Sequence, residues 1–130
     1  MNHDEEAAGL APTPGYRYAE VVGHRLLLAG QVPHDAEGHL VGLDDVARQT
    51  DQCLTNLRTV VAVHGFEWSD LRRLTVYVVG DHDALGVAWS RVVHAFEGTV
   101  PPATLLGVAL LGHVGQLVEI DAHVERLPAA

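Results

Sequence analysis

Short blocks of apolar residues, separated by turn-forming residues, recur along the chain and predict six β-strands. The first two blocks flank the pair Gly23-His24, which is typical of the two-residue turn of a tight hairpin. The predicted strands cover residues 16–22, 25–29, 39–42, 73–79, 104–111 and 116–126.

Two other segments carry apolar residues at spacings of three and four, which is the pattern of an amphipathic helix. The first begins after the N-cap Asp44 and ends at Gly65, and the second begins at Asp81 or Asp83 and ends at Gly98. The order β-β-β-α-β-α-β-β indicates an α+β domain with one mixed sheet and two helices on one face. The β-α-β crossovers predict parallel strand pairs, and the hairpins at both ends predict antiparallel pairs.

Three of the predicted strands are apolar on both sides, at residues 26–29, 74–79 and 104–111. Such strands are typical of a sheet that is covered on both faces. Two helices cover only one face, and a soluble monomer rarely exposes a large apolar patch. We therefore expect a homo-oligomer whose sheets meet one another.

The last predicted strand alternates between apolar and polar residues, so its apolar side is expected to face the helices. Glu119 and Asp121 then lie on the other side, at a subunit interface or in a cleft beside it. Carboxylates that are partly withdrawn from water there have raised pKa values, which suits acid–base chemistry. The alternative is that both are solvated charges that discourage aggregation of an edge strand.

The charge of the chain excludes several classes of function. Its 130 residues include 17 acidic residues and 8 basic residues, all of them arginine, for a net charge of −9. Nucleic acids and anionic membranes are bound through clusters of lysine and arginine, so neither is an expected partner. Without lysine, no Schiff base can form on the protein. The length predicts one domain over residues 15–130, preceded by a flexible tail over residues 1–14.

The single Cys53 can form neither an internal disulfide nor a cysteine zinc cluster, and we interpret it as a small buried residue. Together with an acidic N-terminus unlike a signal peptide, this predicts a cytoplasmic protein. None of the nine histidines has the i, i+4 spacing of a metalloprotease motif. His34 and His39 are interpreted as solvated loop residues. No metal and no cofactor are predicted.

Several segments, taken in order, resemble the Rid (YjgF) family of reactive-intermediate deaminases. They are YRYAEVVG at residues 16–23, LAGQVP at 28–33, Gln49 with Asn56-Leu57, LTVYVV at 74–79, GVA at 107–109 and LVEIDA at 117–122. The resemblance implies the chorismate-mutase-like YjgF fold and a homotrimer with a central barrel. It also implies ligand clefts between subunits, where an imine is hydrolysed to a ketone and ammonia.

The resemblance assigns roles to several residues. Glu119 matches the glutamate thought to orient the attacking water, and Tyr16 and Gly30 match positions that complete the cleft. Ala103 stands where the family's P-A-R-T segment has the arginine that binds the substrate carboxylate, and a methyl group cannot replace a guanidinium. Leu105 replaces a threonine or cysteine. The cleft should therefore prefer a neutral or aromatic small molecule, with weak or no activity on amino-acid imines such as 2-aminoacrylate.

Three further residues have more than one interpretation. Trp89 replaces a polar asparagine of the family and either borders the cleft or belongs to the core. His113, in the turn before the last strand, and His123, on the same strand face as Glu119, are candidate general bases. A small-molecule binder without catalysis is the alternative function. A ribonuclease, an activity sometimes attached to the family, conflicts with the net charge of −9.

Overall fold

The computed structural model describes residues 1–128 and contains one mixed sheet of five strands. The strands are β1 (Ala19–Val22), β2 (Arg25–Leu28), β3 (Leu71–Val78), β4 (Ala103–Gly107) and β5 (Val118–Glu125). The helices are α1 (His3–Ala7), α2 (Val46–Val63) and α3 (His82–Ala95), with a short 3-10 turn at Trp68–Asp70. The strand order is β1-β2-β5-β3-β4, and only β3 and β4 are parallel. The predicted α+β class is confirmed.

Two details of the predicted topology are wrong. Residues 39–42 do not form a strand, because this segment makes a single isolated bridge, between Leu40 and His34. The Asp35 carboxylate instead accepts the amides of Glu37 and His39 and closes a turn. The C-terminal hairpin is also absent: β5 lies between β2 and β3, so β4 becomes an edge strand that pairs only with β3. The alternation of β5 fits a central position, where one face packs against the helices.

The two long helices begin at aspartate caps. The Asp45 side chain accepts the Arg48 amide, and the Asp81 side chain accepts the Ala84 amide. The predicted cap at Asp44 is displaced by one residue, because Asp44 adopts a left-handed φ of 57°. No helix within residues 1–128 is long and apolar enough to cross a membrane.

The core lies between the sheet and the helices, and Cys53 is completely buried in it. The opposite face of the sheet is less apolar than predicted. On that face Tyr77 donates a hydrogen bond to Asp121 at 3.0 Å, and Arg73 donates to Thr104 at 2.6 Å. Polar residues occupy these positions because only alternate residues of β3 and β5 are apolar. This face therefore offers a second copy less apolar area than continuous apolar strands would.

The first residues of the chain differ from the predicted flexible tail, because they pack against α2. Asn2, Glu5 and Leu10 are buried, and the Glu5 carboxylate lies 2.8 Å from the His64 ring nitrogen. The Tyr18 hydroxyl donates to the carbonyl of Ala11 at 2.6 Å, and burial is the main cause that raises its pKa to about 12. Partners from distant segments hold this stretch, so its own composition does not reveal the packing.

Candidate functional site

A cavity of about 430 Å³ opens beside the start of β5. Its wall combines the N-terminal segment, the turn after β2 and the loop before β5. The lining residues are Pro14, Tyr16, Ala29, Gly30, Val32, Gly112, His113 and Glu119. A narrower adjoining recess shares Tyr16, Gly30, Val32 and His113 and adds His34. The volume is typical of a small-molecule site. We call this space the Glu119 cavity.

The Glu119 carboxylate is held in place from two sides. Its Oε1 accepts a hydrogen bond of 3.2 Å from the amide nitrogen of buried Gln116. On the other side its Oε2 lies against Gly30, where a Cβ would collide with Oε2 and would lie 3.0 Å from Cδ. Glycine at position 30 therefore allows the carboxylate to occupy this position.

Gly30 is itself tied to the strand that carries Glu119. The Gln31 amide donates to the Ile120 carbonyl at 2.7 Å, and the Ile120 amide donates back at 3.1 Å. This reciprocal pair fixes the distance between Gly30 and the carboxylate. The resemblance of the LAGQVP segment pointed to Gly30, but the reason for the glycine is visible only in three dimensions.

A buried glutamine on α2 positions the loop before β5. Gln49 is completely buried, its amide nitrogen donates to the carbonyls of Gly42 and Gly115, and its oxygen accepts the Leu117 amide at 2.7 Å. Buried backbone groups need such partners. Gln49 therefore holds the loop before β5, which forms part of the cavity wall. Sequence reasoning noted Gln49 only as part of a pattern; its signal was a polar residue on a mostly apolar helix face.

Tyr16 contributes a phenol to the cavity. Burial, and secondly the charge of Glu119, raise the pKa of Tyr16 above its ordinary value. The hydroxyl is therefore protonated at neutral pH and can donate a hydrogen bond to a ligand. The Asn2 amide supports this residue by donating to the Tyr16 carbonyl at 3.1 Å.

Four of the predicted site residues thus come together within one chain: Glu119, Tyr16, Gly30 and His113. The other three lie outside the cavity. Ala103, Leu105 and Trp89 pack against the main core, and Ala103 lies level with Leu74 rather than with Glu119. For these three residues a place in the ligand site remains a prediction.

The remaining acid–base candidates of the last strand lie away from the cavity. Asp121 accepts the hydrogen bond from Tyr77, and the exposed His123 ring lies 3.1 Å from the Glu125 carboxylate. Among residues 1–128, one group of side chains could hold a metal ion: Asp35, Glu37 and His39. Their potential ligand atoms all lie within 4.8 Å of one another. Since the Asp35 carboxylate closes a turn there, the turn itself accounts for the cluster.

A larger groove of about 570 Å³ lies where β3 begins, beside Arg58, Trp68 and Phe96. The Trp68 and Phe96 rings stack at 4.7 Å, and the Arg58 guanidinium covers the Trp68 ring. These contacts are made within the protein. The Glu119 cavity is the stronger candidate, because it combines a positioned carboxylate with imidazole and phenol groups.

The chain was compared with protein-family models, with known protein sequences and with solved structures. The family model described as "Endoribonuclease L-PSP" matches residues 7–126. Protein DfrA of Myxococcus xanthus is 30% identical over 102 residues, which cover 77% of this chain and 75% of that protein. A RutC family protein of Pyrococcus horikoshii is 31% identical over 75 residues, which cover 56% and 60% of the two chains. YyfA, a Rid family protein of Yersinia pestis, has a solved structure that is 25% identical, covers 88% of this chain and 90% of its own, and superposes with a TM-score of 0.79.

Proposed function

Because the chain belongs to the endoribonuclease L-PSP family, also called the Rid or YjgF family, we propose that it hydrolyses a small imine, enamine or related carbonyl compound in the Glu119 cavity. The observation that carries the proposal is the position of the Glu119 carboxylate. It lies between the Gln116 amide and Gly30, in a cavity that also holds Tyr16 and His113. A carboxylate in such a place can take a proton from water as the water attacks the imine carbon.

The proposed substrate lacks a carboxylate. Glu119 is the only acidic residue among those that line the cavity, and none of them is arginine. An anionic ligand would meet a like charge there with no cation to offset it. The same composition disfavours RNA, since phosphate groups require lysine or arginine contacts. We therefore assign the site to a neutral or aromatic small molecule.

We also propose that the active form is a homotrimer, with Ala103, Leu105 and Trp89 of a second copy completing the cleft. Support comes from family membership and from the cavity itself, which is open on one side and has none of these three residues in its wall. Light scattering coupled to gel filtration is expected to give three times the mass of one chain. The mass of a single chain would contradict the proposal.

A matched pair of imines tests the substrate class. An amine oxidase forms phenylacetaldimine from phenethylamine, and an amino acid oxidase forms the corresponding imine with a carboxylate from phenylalanine. We expect kcat/KM for the neutral imine to be about 10- to 100-fold higher, the range set by a charged hydrogen bond that the carboxylate cannot make here. The measurement follows the loss of imine absorbance with and without the protein.

The variant Ala103→Arg is the control for this pair. If a second copy brings position 103 to the cavity, the new arginine should raise kcat/KM for the imine that has a carboxylate and reduce the preference. Equal rates for both imines in the unmodified protein would contradict the assignment to a neutral substrate. Tight binding of the neutral imine without hydrolysis would favour the alternative function, a small-molecule binder without catalysis.

A further inference from the structure

Two histidines meet where the Glu119 cavity adjoins the narrower recess. The rings of His34 and His113 are arranged edge to face, with centroids 4.5 Å apart. Both residues are half-buried, and His113 borders the cavity and its adjoining recess. Within residues 1–128, no hydrogen bond holds a ring nitrogen of either histidine. Within the same residues, Trp68 Nε1 is the only side-chain polar atom that is fully buried without a partner, so the ring nitrogens of both histidines reach solvent and are available to a ligand.

The backbone of both histidines is held firmly. The Asn56 amide donates to the His34 carbonyl at 3.0 Å, and the Gln52 amide donates to the same carbonyl at 3.3 Å. The His113 amide donates to the Gln116 side-chain oxygen at 3.2 Å. The amide nitrogen of that same Gln116 side chain holds Glu119 at 3.2 Å. One buried side chain therefore bonds both to the backbone of His113 and to the Glu119 carboxylate.

The surroundings favour an uncharged His34 ring. Burial is the main cause that lowers the pKa of His34, the adjacent His113 lowers it further, and Asp35 acts in the opposite direction. Two charged rings at this separation would repel each other. The other titratable groups that line the cavity are Tyr16, whose raised pKa keeps it neutral, and Glu119. An imidazole without charge has a ring nitrogen that can accept a proton.

We propose that His113 is a second catalytic residue of this site, the base that removes the hydroxyl proton when the carbon–nitrogen bond breaks, and that His34 positions its ring. The inference rests on the proposed imine hydrolysis. Water first attacks the protonated imine, a C–O bond forms, and Glu119 takes a proton from the water. This leaves a neutral carbinolamine and a protonated Glu119.

In the second step, Glu119 returns its proton to the nitrogen, and the C–N bond breaks with its electron pair leaving on ammonia. His113 takes the hydroxyl proton, so that the C=O bond of the product forms. Bulk water then receives the proton from His113. The balance is one protonated imine and one water in, and one carbonyl compound, one ammonia and one proton out. Because Glu119 is donating its proton to the nitrogen while the C–N bond breaks, a second group takes the hydroxyl proton in the same step.

The test compares His113→Gln with His123→Gln, an exposed histidine outside the cavity, using phenylacetaldimine as the substrate. For His113→Gln we expect kcat to fall about 100-fold, KM to stay within about threefold, and the part of the acid-side fall in kcat that comes from protonation of an imidazole to disappear. His123→Gln should retain the kcat, KM and pH profile of the unmodified protein. Thermal unfolding of each variant checks that it is folded.

Two variants of His34 separate positioning from chemistry. His34→Phe keeps an aromatic ring beside His113 and should retain most of the kcat, whereas His34→Ala should lower it. If His113→Gln keeps its kcat and its acid-side fall while Glu119→Gln is inactive, the role of His113 is wrong and the proposed hydrolysis stands. If the unmodified protein hydrolyses neither imine of the matched pair, the proposed function fails and the role of His113 fails with it.

Discussion

The variant Glu119→Gln is expected to lower kcat for phenylacetaldimine by about 10²- to 10⁴-fold, the usual contribution of a general acid or base. Glutamine has nearly the same shape, and its oxygen can still accept the hydrogen bond from Gln116. It cannot take a proton from water. Affinity for a neutral analogue should change little, because a ligand without charge gains little from the carboxylate charge.

Steady-state kinetics and equilibrium binding of a neutral analogue such as phenylacetamide together check this result. Asp121→Asn is the matched control, since Asp121 lies on the same side of β5 but bonds to Tyr77 outside the cavity. A readout independent of turnover is the phenol titration, where the pKa of Tyr16 should fall because the Glu119 charge contributes to raising it. Full activity of Glu119→Gln would remove the basis of the proposed hydrolysis.

The sequence predicts the parts of this site that depend on local periodicity. The alternation of β5 places Glu119 on the side away from the helices, and the structure agrees, with Val118 and Ile120 buried. The apolar spacing of α2 and α3 was equally informative, because each helix buries one stripe of its own surface. The apolar periodicity of one helix or strand can be recognised in the sequence before its neighbours in the fold are known.

The groups that fix the geometry of the cavity depend on distant partners. Gln49 and the Leu117 amide are separated by 68 positions, and Gln49 and the Gly115 carbonyl by 66. His34 was interpreted as a solvated loop histidine, yet the fold brings it against His113. Nothing in the spacing of such residues identifies their partners, because loops carry no periodicity. The C-terminal hairpin was predicted wrongly for the same reason. The position of β5 depends on its pairing with β2 and β3, which are distant in sequence.

The variant Gly30→Ala tests whether the position of the Glu119 carboxylate matters, because it displaces that group without changing its chemical identity. The added Cβ collides with Glu119 Oε2 and lies within about 3 Å of Cδ and Cγ, so the carboxylate must rotate away. The φ of Gly30 does not lie in the left-handed region, and alanine fits the backbone without strain. We expect kcat to fall about 100-fold, the effect of a displacement of about 1 Å in a reacting group. The midpoint of thermal unfolding should change little, because a flexible side chain absorbs the collision.

Gly112→Ala is the matched control for this change. Gly112 lines the same cavity, its φ is also outside the left-handed region, and an added Cβ meets nothing within 4 Å. Its kcat should therefore stay within about twofold, as expected of a substitution that displaces no reacting group. The double variant Gly30→Ala with Glu119→Gln should be no slower than Glu119→Gln alone, because both changes remove the same function. If the two substitutions instead lower kcat by factors that multiply, the methyl group at position 30 acts on the ligand directly. A methyl group that acts only by displacing the carboxylate should have no further effect once Glu119 is replaced.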